Sequence, residues 1–142
     1  MKLRAATFED AGLLLDWRND AETRANSLHH DPVPWESHVT WLAALLADPA
    51  RELLIAECDG SAVGTVRFDR ERDETVLSWT IAPTRRGQGL GRAMVRCAVE
   101  RAPTARLRAE IAASNARSIA IAREAGFRPS ETIDDIMVWR RP

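Results

Sequence analysis

Three glycines within five positions mark the centre of the chain, in the segment Arg-Arg-Gly-Gln-Gly-Leu-Gly-Arg at residues 85–92. Residues 75–81 alternate side chains as a β-strand does, and residues 89–101 repeat apolar side chains at helical spacing. Glycines between a strand and a helix allow the backbone to approach a ligand closely. The first turn of the helix adds unpaired N–H groups and the positive end of a dipole. The segment therefore predicts a site for a phosphate or pyrophosphate, which its arginines would reinforce.

Two better-known phosphate-binding motifs do not fit this segment. A dinucleotide-binding turn would follow the first strand and would need a glycine at position 92, which is Arg92 here. A P-loop would contain Gly-Lys-Ser or Gly-Lys-Thr, which the segment lacks. The remaining alternative is a flexible connector with solvated arginines. The coincidence of strand, turn, arginines and helix favours the anion site over that alternative.

The hydrophobic pattern predicts a single domain over residues 1–142 with a mixed central sheet. Strand patterns cover residues 3–5, 53–58, 62–68, 75–81 and 106–113, and residues 127–139 form a closing strand or hairpin. Helical patterns follow Thr7 and Pro34 and cover residues 89–101 and 115–125, whereas residues 20–34 are loop-like or weakly helical. The order β-α-α-β-β-β-α-β-α-β alternates only in its second half. The fold class is therefore α/β of the α+β type, with about four helices around a sheet that is not fully parallel.

The charge balance excludes partners that a strong global field would recruit. The chain has 20 Lys and Arg residues against 21 Asp and Glu residues, so neither nucleic acid nor an anionic membrane is expected as a partner. No apolar run approaches membrane-spanning length and no apolar signal segment follows the first residues, which favours the cytoplasm. Cys58 and Cys97 lie far apart in the sequence and are expected to be unpaired small hydrophobes.

Two motifs carry a resemblance to a known family. The segment from Arg86 to Gly91 resembles the acyl-CoA motif of the GNAT family of N-acetyltransferases, Arg/Gln-x-x-Gly-x-Gly/Ala. Residues 114–118, Ser-Asn-Ala-Arg-Ser, with the later pair Gly126-Phe127, resemble the second signature of that family. The resemblance extends over essentially the whole chain. It implies a GNAT-like fold and a cytoplasmic enzyme that moves an acetyl group from acetyl-CoA to an amine without a metal.

The resemblance also implies which residues surround the cofactor. The backbone amides of the turn would bind the pyrophosphate, and the strand edge at Ile81 and Ala82 would pair with the pantetheine arm. Asn115 and Ser118 would lie beside the cofactor, and Asn115 would also suit the N-cap of the following helix. The complete cofactor-binding set is Ile81, Ala82, Arg86, Gly87, Gln88, Gly89, Leu90, Gly91, Arg92, Asn115 and Ser118.

Acetyl transfer needs an unprotonated amine, and Glu110 is the candidate catalytic base. It is the one acid in the strand at residues 106–113, and alternation places it on the side of Arg106 and Arg108. Relatives that acetylate protein N-termini carry a glutamate five residues before the signature asparagine, the position that Glu110 occupies. The alternative is a structural ion pair with one of the arginines, which would also make Glu110 a poorer base. Weaker candidates are Asp73, Glu74, Ser78, His29 and His30.

The usual general acid of the family is missing. Many members carry a tyrosine seven residues after the signature asparagine to protonate the departing thiolate, but that position is Ala122 and the chain has no tyrosine. A free thiol has a pKa of about 8.5, so its thiolate can leave without a dedicated proton donor. Water, Ser118 or the proton of the attacking amine remain as proton sources.

The first third of the chain is expected to bind the acceptor. Residues Trp17, Arg18 and Asn19, with a later His-x-x-Trp-Leu at residues 38–42, resemble acetyltransferases of amino-sugar nucleotide pathways such as pseudaminic acid synthesis. They are also similar, less closely, to ribosomal-protein N-terminal acetyltransferases. Arg18 and Arg24 would meet a diphosphate, and Trp17 or Trp35 would stack on a base or sugar. The alternative is that the tryptophans pack the core and the arginines are solvated.

Three functions follow in order of preference. The first is N-acetylation of a small-molecule amine such as a nucleotide-linked amino-sugar, the second is N-terminal acetylation of a protein, and the third is a non-catalytic acyl-CoA-binding module. The missing tyrosine motivates the third. A monomer or a homodimer is expected.

Overall fold

The computed structural model describes residues 1–27 and 30–142, which form one seven-stranded sheet in the order β1-β2-β3-β4-β5-β7-β6. The strands are β1 (Lys2–Ala5), β2 (Arg51–Cys58), β3 (Ser61–Arg70), β4 (Thr75–Ile81), β5 (Leu107–Ala112), β6 (Arg128–Ile133) and β7 (Ile136–Arg141). The helices are α1 (Ala11–Asn19), α2 (Ala21–Ala25), α3 (Trp35–Ala47), α4 (Leu90–Arg101) and α5 (Ala116–Glu124), with short 3-10 turns at Phe8–Asp10 and Pro83–Arg85.

The sheet opens between β4 and β5, its only parallel pair of neighbouring strands among the described residues. Those two strands are paired at two positions, Thr75 with Leu107 and Val76 with Arg108. Beyond these positions the strands separate and leave a gap, called the split below. Strand β4 leads into the turn at residues 83–89 and then into α4, and strand β5 leads into α5. Helices α4 and α5 therefore both begin at the open end of the split.

Helices cover the two faces of the sheet differently. Helix α4 packs Met94, Val95 and Ala98 against Leu77 of β4, and this core continues across the split to Phe127 and Trp139. Helices α1 and α3 cover the opposite face of the β1–β4 half, with Trp17, Leu42 and Leu45 packed on Leu53 and Ile55. Glu110 lies opposite Val138 of β7, on the face of β5 that also carries Arg108.

The first helical segment begins with the capping pair that its sequence predicts. The hydroxyl of Thr7 accepts a hydrogen bond from the N–H of Glu9 at 3.2 Å, and the Asp10 carboxylate accepts one from the N–H of Thr7 at 2.9 Å. Asp10 also receives both terminal nitrogens of Arg4, at 2.8 and 2.9 Å. These bonds from Arg4 hold the pKa of Asp10 below its ordinary value.

The predicted fold class is confirmed, with two differences in detail. The described residues form five helices rather than about four, because the Asp20 side chain caps the N–H of Thr23 at 3.1 Å and starts the short helix α2. The closing segment is a hairpin, β6–β7, which was one of the two alternatives. Cys58 and Cys97 are unpaired and only partly buried. Within the described part of the chain, no helix has the length and apolar character that crossing a bilayer requires.

Candidate functional site

The glycine turn presents backbone to an open space. Gly87 and Gly89 have φ angles of +77° and +74°, which side-chain-bearing residues rarely adopt, and a β-carbon at either position would meet nothing within 4 Å. Gly89 is the N-cap of α4 and no side chain caps the helix. The N–H groups of residues 90–92 therefore lack partners within the helix and point toward the open end of the split. This arrangement fits a phosphate or pyrophosphate bound by backbone donors.

The third glycine of the motif has a different role from the one expected. Gly91 is buried, and a β-carbon there would lie 2.7 Å from Cδ1 of Ile121 and 3.4 Å from Cγ1 of Ile81. Its missing side chain lets α4 approach both α5 and β4. Gly91 thus has a packing role, and its predicted contact with the cofactor stays a prediction.

The arginines of the turn contribute less free charge than the sequence indicated. Arg86 forms ion pairs with Asp20 at 2.6 Å and Glu22 at 2.7 Å, and Arg92 forms one with Glu124 at 2.9 Å. Arg85 has no acidic partner within the described residues. Because two of the three arginines are neutralised by carboxylates, the backbone N–H groups and the helix dipole supply most of the local attraction for an anion.

The edge of β4 at the split offers backbone hydrogen-bonding groups. The N–H of Thr75 donates across to Arg106 at 2.8 Å, whereas the N–H of Ala82 donates to Val63 of β3 at 2.8 Å. Backbone groups alternate sides along a strand, so those of Trp79 and Ile81 face the split, where β5 has moved away. Ile81 therefore stays a candidate for pairing with an extended ligand. Ala82 does not, because its N–H is occupied by β3 and the residue is only 3% exposed.

The other side of the split is formed by the start of α5. Asn115 is the N-cap of this helix, and its side-chain oxygen accepts a hydrogen bond from the N–H of Ser118 at 3.2 Å. Both residues are partly exposed beside the open end of the split. Ala122, at the position where relatives carry a tyrosine, is fully buried in the core. The position at which relatives carry the general acid therefore lies among apolar side chains in this chain.

Glu110 lies on the same face of β5 as Arg108. Continuing the parallel register from Val76 and Arg108 sets Glu110 level with Ser78 across the split. The Glu110 carboxylate is 3.2 Å from Arg108, and its side chain is 36% exposed. Arg108 is shared, because it also pairs with Glu71 at 2.9 Å and with Glu74 at 3.1 Å. The ion pair with Arg108, which was the alternative to a catalytic role, is thus present, although it leaves the Glu110 side chain partly exposed to solvent.

The weaker base candidates are placed less favourably. Glu74 is held at 2.8 Å by Arg140 and is also bound by Arg108, and these bonds lower the pKa of Glu74, which makes it a poor base. Asp73 and His30 are exposed, and Ser78 is partly exposed on β4. His29 lies outside the described residues.

Two of the three predicted acceptor residues have structural roles. Trp17 is 6% exposed and packs in the core under α3, so it offers no face to a ligand. The Asn19 amide donates to the carbonyl of Val33 at 2.9 Å and accepts from the N–H of Val33 at 2.7 Å, which holds the following loop in place. Arg24 is occupied in the same way, because it donates to the carbonyls of Asn19 and His30.

Arg18 remains available as a ligand-binding cation. Its guanidinium lies 4.3 Å from the ring centroid of Trp41 and 3.3 Å from Nδ1 of His38, and no carboxylate pairs with it within residues 1–27 and 30–142. Partial burial, reinforced by repulsion from Arg67 of β3, lowers the pKa of Arg18. Arg67 sits opposite Ser78 in the sheet, on the same row as Glu110. Arg18 and Arg67 thus form a positive patch beside the split.

Two residues next to Arg18, His38 and Arg67, were not identified as functional candidates from the sequence. His38 is fully buried, and its Nε2 must donate to the carbonyl of Ala11 at 2.9 Å, which leaves Nδ1 to accept from Arg18. Burial is the main reason that the pKa of His38 is lowered, which keeps the ring neutral. The helical spacing of His38 and Trp41 was visible in the sequence, but their common contact with Arg18 depends on how α1 packs on α3.

A helix N-terminus with an open glycine turn, next to a free strand edge in a split mixed sheet, defines a fold that binds an acyl-CoA for group transfer. The family model described as an acetyltransferase (GNAT) domain matches residues 1–128, and the chain belongs to this family. As a member of this family, it is an N-acetyltransferase. No curated protein matches the sequence at a significant level.

Solved structures share the whole fold. The ribosomal-protein-alanine N-acetyltransferase from Brucella melitensis is 28% identical, with 99% of each chain covered and a TM-score of 0.79. The spermidine N-acetyltransferase from Vibrio cholerae in complex with CoA and spermine is 16% identical, with 98% and 92% covered and a TM-score of 0.83. An aminoglycoside acetyltransferase, AAC(6')-Ib, in complex with ribostamycin and coenzyme A is 22% identical, with 98% and 90% covered and a TM-score of 0.84.

No group of three metal-binding side chains is assembled among the described residues.

Proposed function

We propose that the enzyme acetylates the primary amine of a small molecule that also carries an anionic group, such as a nucleotide-linked amino-sugar. The observation that carries this proposal is Arg18, a partly buried guanidinium without a carboxylate partner in the described chain. A cation withdrawn from water is costly unless an opposite charge compensates it. A phosphate or carboxylate of the acceptor would supply that charge.

The surroundings of Arg18 support an anionic acceptor over a polycation. Arg67 adds a second guanidinium nearby, and only Asp69, shared with Arg51, offsets it. Trp35 is 53% exposed at the start of α3, with its ring 6.3 Å from that of His38, so it is available to stack on a base or sugar ring. Spermine and the aminoglycosides named for the structural neighbours are polyamines, which this patch would repel.

The cofactor side of the proposal assigns the pyrophosphate to the turn at residues 87–92 and the pantetheine arm to the edge of β4 at Ile81. Acetyl-CoA supplies an activated acetyl group on a thiolate that can leave. The backbone N–H groups after Gly89 orient the pyrophosphate, and Asn115 and Ser118 border the arm from the other side of the split. Ion pairs hold Arg86 and Arg92 away from this role in the described structure.

Glu110 is the proposed base that accepts the proton of the amine. Glu110 lies level with Ser78 across the split, and Arg67 lies opposite Ser78 on β3. An acceptor whose anionic group is bound near Arg67 would therefore bring its amine close to Glu110. A sugar amine is less basic than a lysine side chain, and such an acceptor needs less help from a base.

The acceptor class can be tested by competition. We expect a UDP-linked amino-sugar to give a higher kcat/KM than an N-terminal peptide or spermidine. Arg18→Gln should raise the KM for the sugar nucleotide by about tenfold or more, the cost of one charge-assisted contact, while the KM for acetyl-CoA stays unchanged. Arg106→Gln, an exposed arginine at the closed end of the split, is the matched control.

Protein N-terminal acetylation is the second candidate. It is favoured by the Brucella melitensis neighbour, whose coverage is complete on both sides, and by the position of Glu110. Better turnover of an N-terminal peptide than of the sugar nucleotide, with no effect of Arg18→Gln, would reverse the order of the two proposals.

A further inference from the structure

The short helix α2, together with its cap Asp20, connects to both sides of the split. Arg86, in the turn after β4, donates to Asp20 at 2.6 Å and to the hydroxyl of Thr23 at 2.9 Å, and it pairs with Glu22 at 2.7 Å. Arg117, in the first turn of α5, pairs with the same Glu22 at 3.4 Å. Glu22 therefore contacts one residue from each side of the open end. Residues 20–25, called the strap below, bridge that end.

Arg86 is the main attachment of the strap. Its side chain is 19% exposed, against 61% for Arg117, and one guanidinium makes all three short contacts to the strap. The bond from Arg86 is also the largest cause of the lowered pKa of Asp20. Isolated exposed ion pairs contribute little to stability, whereas a partly enclosed, charge-assisted set of bonds holds its members in one geometry.

The strap directly follows the proposed acceptor-binding residues at the end of α1, called the acceptor wall below. Asp20 directly follows Arg18 and Asn19 at the end of α1, and Arg24 of the strap donates to the carbonyl of Asn19 at 3.1 Å. The turn that carries Arg86 continues into Gly87 and Gly89, whose open side faces the proposed pyrophosphate. One arginine thus joins the proposed cofactor site to the proposed acceptor site.

We propose that Arg86 is a positioning residue that couples cofactor binding to the acceptor wall, and that its guanidinium does not bind the pyrophosphate. This inference rests on the proposed pyrophosphate site at residues 87–92. Coenzyme A bound at the turn restricts the motion of the turn. Because Arg86 ties the strap to the turn, the strap then opens less often. The acceptor wall thus becomes more rigid although it does not contact the cofactor. Coupling of this kind is reciprocal, so a bound acceptor also tightens coenzyme A binding.

Hydrogen exchange with coenzyme A alone tests the coupling without any acceptor. In the parent protein, saturating coenzyme A should slow exchange both in the turn at residues 87–92 and in the strap. In Arg86→Met, the turn should stay protected and the protection of the strap should disappear, with Kd for coenzyme A changed by less than about threefold. Arg72→Met, at an exposed arginine in the turn between β3 and β4, is the control and should behave like the parent.

A second pair of variants keeps the test decisive if Arg86→Met does not fold. Asp20→Asn removes one of the two carboxylates that pair with Arg86 but keeps a side chain that can cap α2. Glu22→Gln removes the second carboxylate. The double variant should therefore uncouple the strap from the turn while leaving Arg86 in place.

Three results would overturn the proposal. A rise of about tenfold or more in the Kd of Arg86→Met would make Arg86 a pyrophosphate ligand, since that is the cost of losing a charge-assisted contact. Strap protection that survives in the variants would show that these ion pairs do not transmit the effect. Absence of turn protection in the parent would contradict the pyrophosphate site itself, and the coupling would fall with it.

Discussion

The cofactor side and the acceptor side of this enzyme are built from different parts of the polypeptide. On the proposed cofactor side, the candidate binding groups belong to the backbone: the N–H groups after Gly89 and the free edge of β4 at Ile81. On the acceptor side, the candidates are side chains, with Arg18 held by His38 and Trp41 and repelled by Arg67. Backbone recognition requires a short contiguous motif, whereas side-chain recognition requires residues from several elements. The first can be identified along the sequence, and the second needs the folded chain.

Gly89→Val should have the largest effect on the cofactor side. A residue at φ +74° is strained, and its side chain would project into the space where the pyrophosphate is proposed to bind. The parent should gain about 2.7 kcal/mol of stability at a hundredfold excess of acetyl-CoA over Kd, and the variant should gain none, as measured by thermal unfolding.

Gly60→Val is the matched control for backbone strain. Gly60 has φ +79° and equally open surroundings, but it lies in the β2–β3 hairpin away from the split. Both variants should be destabilised without ligand, and only Gly89→Val should lose the acetyl-CoA shift. Equal loss in both variants would remove the turn from the binding site.

Glu110→Gln should lower kcat by about 10²- to 10⁴-fold if Glu110 is the base, because positioned general bases contribute in that range. Acetyl-CoA affinity should barely change, since the carboxylate faces the amine side of the split. Glu71→Gln removes another partner of Arg108 and serves as the control, with kcat near that of the parent. A Glu110→Gln enzyme that is less stable but fully active per folded molecule would leave Glu110 as an ion-pair partner only.

Gly91→Ala should separate packing from binding within the same motif. The new methyl would crowd Cδ1 of Ile121, the movable end of a side chain, so we expect a loss of at most about 1 kcal/mol in the free energy of unfolding. The acetyl-CoA shift should remain, in contrast to Gly89→Val. Loss of that shift with unchanged stability would return Gly91 to the ligand-facing set.

The acid sensitivity of the strap should be the smallest effect. Arg86 lowers the pKa of Asp20 below its ordinary value of 3.8, so this pair stabilises the fold fully above that value and loses its contribution as the pH falls through the lowered pKa. Urea unfolding between roughly pH 2 and 5 should show this loss in the parent, and Asp20→Asn should flatten it. Identical pH profiles would mean that the pair contributes no stability.

Sequence reasoning was most successful where the structure follows from the local backbone. The succession of strand, glycine turn and helix predicts an anion site from neighbouring residues alone, and Asn115 was expected and found as a helix N-cap. Sequence reasoning failed where one residue has two local interpretations. Gly91 is as compatible with ligand approach as with helix packing, and only its distance to Ile121 separates the two. Trp17 is equally suited to stacking and to core packing, and its burial favours the core.

The sequence by itself determined the fold class, the family resemblance and the location of the glycine turn, because periodicity, glycine conformation and helix capping act over a few neighbouring residues. Tertiary structure alone decided which charges remain available. Arg86 and Arg18 look alike as arginines in polar segments. Within the described chain, however, Arg86 pairs with Asp20 and Glu22, whereas Arg18 contacts aromatic rings and lies near another arginine. The physical reason is that electrostatic pairing depends on distance in space, and residues 20 and 86 meet only after α2 has folded across the end of the split.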